Sequence, residues 1–340
     1  MSEFKVNTIT NRDGSHGPQV CGITTFKSSG MQLPSGPTEM HGGRGRGITG
    51  GGFVSPSSQS VMDLIEIATK GNATDFGDDT HARQEGYAAF SSATRGLFAG
   101  GQTPTVLTNI AYVNISSQGG VNDFGDLKTP VVRNVGASDS VRGISAGGII
   151  APLSSPAQVT AIEFVTMSTT GNGNDFGNLT QQRAGSGACA SPTRGLFAGG
   201  YSTAPNYNII DFITIATLGE AQDFGDLTDD PNHLAGCSNS TRGLFGGGQN
   251  PSNVNVIVYV TIATEGNAID FGDLSAAKDY LGACASQIRG IFGGGQSPTK
   301  LNVIEFVNIA TTGDVTDFGD LTVARRFTMG LSDVHGGLAQ

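Results

Sequence analysis

Three kinds of residue in this chain could do chemistry, and each of them recurs. An Asp-Phe-Gly phrase begins at Asp75, Asp123, Asp175, Asp223, Asp270 and Asp317, and a carboxylate in that phrase can hold magnesium. The phrase Arg-Gly-x-x-x-Gly-Gly begins at Arg46, Arg95, Arg142, Arg194, Arg242 and Arg289, which offers guanidinium groups to an anion. Cys189, Cys237 and Cys284 each stand five residues before one of those arginines, and three thiolates could share a metal ion.

A catalytic group is needed once, so a phrase repeated in step through the chain reads as architecture. The Asp-Phe-Gly copies have no Gly-rich phosphate loop, strand lysine or His-Arg-Asp loop beside them. Their Phe is expected to pack between repeats, their Gly to permit a turn, and an Asp to accept bonds from backbone or arginine. The six arginines are expected to be structural, paired with those aspartates; arginines reaching a central channel are the alternative. The three cysteines are expected to be buried small hydrophobes, with an axial three-thiolate metal site as the alternative. No C-x-x-C pair is present, and Cys21, outside the repeat, is expected to be a free thiol. Glycine clusters at 50–52 and 246–248 could cradle a phosphate, but neither a helix N-terminus nor a lysine accompanies them. Close backbone packing is the expected use.

The elements that must position these residues follow from the repeat. Successive Arg-Gly phrases are 47 to 52 residues apart, and the Asp-Phe-Gly phrases keep step. Between them runs an apolar-x-aromatic-apolar-x-apolar stretch, as at Ile210 to Ile215 and Ile304 to Ile309. Each unit therefore predicts four short strands: a small-residue run such as Gly187 to Ser191, the Arg-Gly strand, the apolar stretch, and a strand centred on Asp-Phe-Gly. The third has apolar residues on both faces, as a strand sandwiched between layers requires.

Composition agrees. With 52 glycines, no tryptophan and 14% charged residues the chain is poor in helix formers, yet 37% hydrophobic residues suffice for a core. The net charge of −10 opposes nucleic acid as a partner. No stretch approaches the roughly 20 apolar residues of a membrane span, and the N-terminus lacks the apolar segment of a signal peptide.

A four-stranded unit of this length, closed after its second strand by Gly-Gly, resembles a kelch repeat, and the resemblance covers residues 41 to 340. The arginines before the small-residue strand, Arg83, Arg133, Arg183 and Arg325, fit it. The tryptophan usual in kelch is missing from every copy, and the Phe of Asp-Phe-Gly stands in its place. The resemblance implies an all-β, six-bladed β-propeller with four-stranded blades. The first unit lacks an opening strand and the last is followed by Arg325 to Ser332, so a C-terminal strand is expected to close the ring. Kelch-related copper oxidases need converging His and Tyr ligands, but the five histidines are scattered, and sialidase boxes need tryptophan. The expectation is no enzyme, no metal and no cofactor.

Residues 1–40 do not repeat and form an N-terminal arm, with Pro34 to Pro37 a linker. The stretches Lys5 to Gly14, Gly17 to Val20 and Gly22 to Phe26 resemble the N-terminal leader of virion and tail-fibre-like proteins of marine tailed phages. That resemblance implies a virion structural protein, assembled in the host cytoplasm. The arm would dock on other virion proteins and the propeller would decorate the particle or contact the host surface. A cytoplasmic kelch-type interaction propeller is the alternative. Loops after the Gly-Gly strands differ between copies, and if one face binds a glycan, Tyr201 and Tyr207 are the expected stacking residues.

Overall fold

The computed structural model describes residues 45–152, 157–202 and 206–338; the N-terminal arm expected over residues 1–40 lies outside them. Every regular element described is a β-strand. Six four-stranded antiparallel sheets dominate, with one three-stranded and two two-stranded sheets between them, and the arrangement is propeller-like.

The sheets are numbered here by their Arg-Gly strands. The second sheet runs Ala88–Ser91, Arg95–Ala99, Asn109–Asn114 and Asn122–Asp126. The third begins at Val135–Ser138, the fourth at Gly187–Ala190, the fifth at Ala235–Ser238 and the sixth at Gly282–Ala285, each in the same strand order. The first sheet takes its opening strand from the far end of the chain. Met329–Ser332 pairs antiparallel with Arg46–Gly50, placing Ser332 opposite Gly47.

One irregularity recurs in all six sheets and explains the Asp-Phe-Gly phrase. Where the third strand pairs with the fourth, Met62 faces Gly77 while Asp63 faces Asp75, so Phe76 is an extra, bulged residue. The same shift occurs in the other five. A bulge reverses the in-out alternation of a strand, and each Phe is thereby buried while the Asp before it is exposed. In five of the six sheets the bulged Phe meets the aromatic residue of its third strand edge to face, as Phe124 meets Tyr112 at 6.0 Å and Phe224 meets Phe212 at 6.0 Å.

Six apolar clusters, each shared by two successive sheets, make up most of the core, and a smaller seventh joins Val132, Ile149 and Ala184. One joins Phe318 and Leu321 of the sixth sheet to Ile65 and Ile67 of the first. Close approach between sheets sets the glycines of the repeat. A Cβ on Gly243 would lie 2.5 Å from the Cys189 sulfur of the preceding sheet, and one on Gly290 would lie 3.0 Å from that of Cys237. In the Gly-Gly pairs, the second N–H donates to a carbonyl of the following sheet. Gly148 reaches Arg183 at 2.8 Å, Gly248 reaches Lys278 at 2.9 Å and Gly295 reaches Arg325 at 2.9 Å.

Candidate functional site

The repeated arginines are tied to neighbouring sheets. Arg46 Nη1 donates to the carbonyls of Ile115 (3.0 Å) and Ser116 (2.9 Å), and Arg242 Nη1 to those of Ile309 (3.1 Å) and Ala310 (2.8 Å). Arg95, Arg142, Arg194 and Arg289 reach the corresponding carbonyls of Met167, Ile215, Ile262 and Ile67. Five of the six also lie over the aromatic ring of their own third strand, 4.5 to 4.9 Å from its centroid. In the first sheet that position is Leu64, and Arg46 pairs with Glu66 instead. The arginines thus clamp strand ends rather than the Asp-Phe-Gly aspartates. Asp75, Asp123, Asp175, Asp223, Asp270 and Asp317 stand exposed on the outer strands.

The cysteines point between sheets, and burial pushes their thiols up, Cys284 to about 12. Among the described residues no cluster of His, Cys, Asp and Glu could hold a metal ion. Around them the first strands of all six sheets line a recess of about 60 Å³. The tail after Ser332 covers one end of it. His335 Nε2 lies 2.8 Å from the Ser91 carbonyl oxygen and 3.3 Å from Ser138 Oγ, and the Gly336 N–H donates to the Ser238 carbonyl at 2.9 Å.

Charges buried at the head of four of the six first strands are paired. Arg183 meets Asp211 at 2.8 Å, Lys278 meets Glu305 at 2.7 Å, Arg325 meets Asp63 at 3.1 Å and Arg83 meets Asp79 at 2.7 Å. Such pairs organise a core without implying catalysis. Arg133 does not belong with them. It sits two residues further along, where the structure places something sequence reasoning missed.

Among the described residues, five non-glycine residues have positive φ: Glu85 (66°), Arg133 (56°), His233 (57°), Tyr280 (53°) and Phe327 (59°). Four of them, Arg133, His233, Tyr280 and Phe327, occupy one position two residues before a first strand, which Gly86 (69°) fills in the second sheet and Gly185 (66°) in the fourth; Glu85 stands one residue earlier than Gly86. A backbone relay links them. The N–H of Gly185 donates to Arg133, that of His233 to Gly185, that of Tyr280 to His233 and that of Phe327 to Tyr280, at 2.7 to 3.1 Å. The left-handed region costs a side-chain-bearing residue on the order of 1 kcal/mol. Elsewhere among the described residues the chain uses glycine for it.

The side chains form a continuous band. Arg133 Nε donates to Glu85 Oε2 at 3.1 Å, and Arg133 Nη1 donates to the Tyr201 hydroxyl. Ring centroids then step from Tyr201 to His233 (5.3 Å), to Tyr280 (4.1 Å) and to Phe327 (4.2 Å). Arg326 backs the band, 4.9 Å from the Phe327 ring and 5.5 Å from the Tyr280 ring, with Nη1 on Gln296 Oε1 at 2.9 Å. Glycine at 185 has a steric reason: a Cβ there would lie 2.8 Å from His233 Nδ1. The recess beside the band holds about 30 Å³ and reaches Met329 and Leu281.

The charges of Glu85 and Arg133 offset each other, and Arg326 adds a positive charge behind the band. Burial, then the charges of Arg133 and Arg326, hold the His233 imidazole well below its usual pKa. Burial opposes the Arg133 charge, but Tyr201 and Glu85 outweigh it and raise its pKa. Burial pushes the Tyr280 phenol up to about 12. No nucleophile–base pair is among these groups; the site can stack and hydrogen-bond. No family model matches the chain, and no curated protein sequence matches it.

Of the two tyrosines expected at a binding face, Tyr201 lies in this band. Tyr207 lies apart, half-buried near the Arg183 guanidinium. Glu85, His233, Tyr280 and Phe327 were not singled out from the sequence. The signal for the last three is a position that keeps the repeat spacing while its residue type changes, as from Arg133 to His233 to Tyr280 to Phe327.

Proposed function

We propose that the chain is a closed, six-bladed, kelch-like β-propeller that works by recognition rather than catalysis, carried on a phage virion by residues 1–40. Three contacts between the sixth sheet and the first support the closed ring. They are the Arg289 bond to Ile67, the Gly71 N–H bond to the Phe318 carbonyl at 3.0 Å, and the Thr322 N–H bond to Asp63 Oδ2 at 3.1 Å. The Met329–Ser332 strand is the latch, because it joins the blade opened at Arg46. Closure leaves only the short outer strand of each sheet as an edge.

The observation that carries the recognition reading is the band of strained, chemically different residues, four of them (Arg133, His233, Tyr280 and Phe327) at one repeat position with Glu85 beside it. Strain collects where function requires a particular side chain, and a rigid ring can vary such residues without disturbing its packing. The opposite end of the channel is covered by the C-terminal tail, so the band marks the face that binds. The virion placement rests on the resemblance of residues 5–26 to phage leaders, and the outward face would then decorate the particle or contact the host. Mass spectrometry of purified virions tests it: the protein is expected among particle components, and its absence there would sink the placement.

A further inference from the structure

We infer that the recess bounded by Glu85, Arg133, His233, Tyr280 and Phe327 binds the terminal residue of a neutral glycan. This rests on the reading of the band as the recognition face and names the ligand that face takes.

Three properties select that class. Charge comes first. Arg133 and Glu85 neutralise each other at hydrogen-bond distance. Arg326 is held by Gln296 and by the faces of Phe53, Tyr280 and Phe327. An anion needs free cationic donors and an amine needs a free carboxylate; the residues that line the recess, Glu85 and Arg133 among them and Arg326 not, offer neither alone.

The second property is the mixture of free polar atoms. The Tyr280 hydroxyl, the His233 ring nitrogens and Glu85 Oε1 carry no hydrogen bond among the described residues. Outside the lining, Asn232 Oδ1 and Arg326 Nε are also buried without a partner among the described residues. Buried polar atoms left open cost free energy unless something meets them. A hydroxylated ring is donor and acceptor at every position, so it can satisfy both kinds at once. Neutral His233 is free to accept from a sugar hydroxyl.

Shape supplies the third. The tilted rings of His233, Tyr280 and Phe327 line the recess and give an apolar surface for the C–H face of a pyranose. About 30 Å³ of space admits a single protruding group, so the ligand enters by its end rather than lying along the surface.

The test uses the full-length protein on an array of glycans ending in neutral hexoses, N-acetylhexosamines, sialic acid or uronic acid, with inorganic phosphate as competitor. Hits are then titrated calorimetrically. Neutral-terminated glycans are expected to bind, untouched by phosphate. Tyr280→Ala should weaken them at least about fivefold through the lost stacking face, with Tyr280→Phe intermediate and an unchanged melting temperature in the latter. Asp123→Asn, on the outer strand, should bind as the wild type does. Preference for sialylated or uronic ends, or no binding of neutral ends, overturns the inference. So does binding that Tyr280→Phe and Tyr280→Ala both leave unchanged. The virion placement is read separately by mass spectrometry and survives any of these outcomes.

Discussion

Arg289 Nη1 donates to the carbonyl oxygen of Ile67, 222 residues earlier in the chain, at 2.9 Å. It repeats between the sixth and first sheets what Arg46 does between the first and second and Arg242 between the fifth and sixth. By this measure the place where the two ends of the fold meet cannot be told from the other five junctions. The clamp also has an energetic consequence. Each guanidinium fixes carbonyls at the end of a neighbouring strand, and five of the six have an aromatic ring beneath them, as Arg289 has Phe306.

Removing that clamp at one junction should therefore loosen the whole molecule. Arg289→Ala is expected to lower stability by about 2 kcal/mol, the scale of hydrogen bonds made by a charged donor. Arg289→Lys should recover part of it, because an ammonium lacks the flat fork. Chemical denaturation of both variants measures the difference. An Arg289→Ala protein as stable as wild type would show the clamp contributes nothing.

Truncation before Thr322 takes away the Met329–Ser332 strand, Arg325 and the tail around His335 together. Asp63 is then buried without its guanidinium, and the Arg46–Gly50 strand becomes an edge. The shortened protein is expected to unfold or aggregate at ambient temperature. Melting at the wild-type temperature would mean the C-terminal strand is no latch.

How much of this was legible in the sequence depends on what kind of constraint each residue answers. The strands and the bulged Phe could be read because apolar period and glycine spacing are themselves sequence patterns. The partner of Arg46 could not be, since a backbone carbonyl carries no residue type. For the same reason an arginine–aspartate pairing was the natural expectation, and Asp75 instead lies exposed. Arg133 looked like Arg83 and Arg183 by residue type and spacing, yet the one sits at the mouth and the others in buried ion pairs. His233, Tyr280 and Phe327 are united by backbone φ, which their side-chain chemistry does not announce.

Packing between sheets can be tested by exchanging volume across one contact. Gly243→Ala alone puts a methyl group 2.5 Å from the Cys189 sulfur, and overpacking of this kind costs about 1–3 kcal/mol. Cys189→Ala removes the obstruction. The double variant is expected to be more stable than Gly243→Ala, with a coupling of about 1 kcal/mol or more in a double-mutant cycle. Strict additivity would place Cys189 elsewhere.

One buried carboxylate gives the protein a pH signature. Burial raises the Asp279 pKa to about 6, above its unfolded value of about 4. The folded state then holds a proton that the unfolded state releases between those values. Asp279 therefore destabilises the fold above pH 6, and its contribution becomes more favourable as pH falls through 6 towards 4. Asp279→Asn should stabilise the protein at pH 7.5 by on the order of 1 kcal/mol and leave it unchanged near pH 4. Equal effects at both pH values would contradict the assignment.

The central claim is that the sixth sheet meets the first as every other pair of neighbours meets. Amide hydrogen exchange at Gly71 tests it most directly, because that N–H bonds to the Phe318 carbonyl across the junction as Gly171 bonds to Phe124 within the chain's interior. The closed ring predicts that Gly71 is protected to the same degree as Gly171. Exchange of Gly71 at the rate of an unstructured amide, with Gly171 still protected, would mean the ring is open.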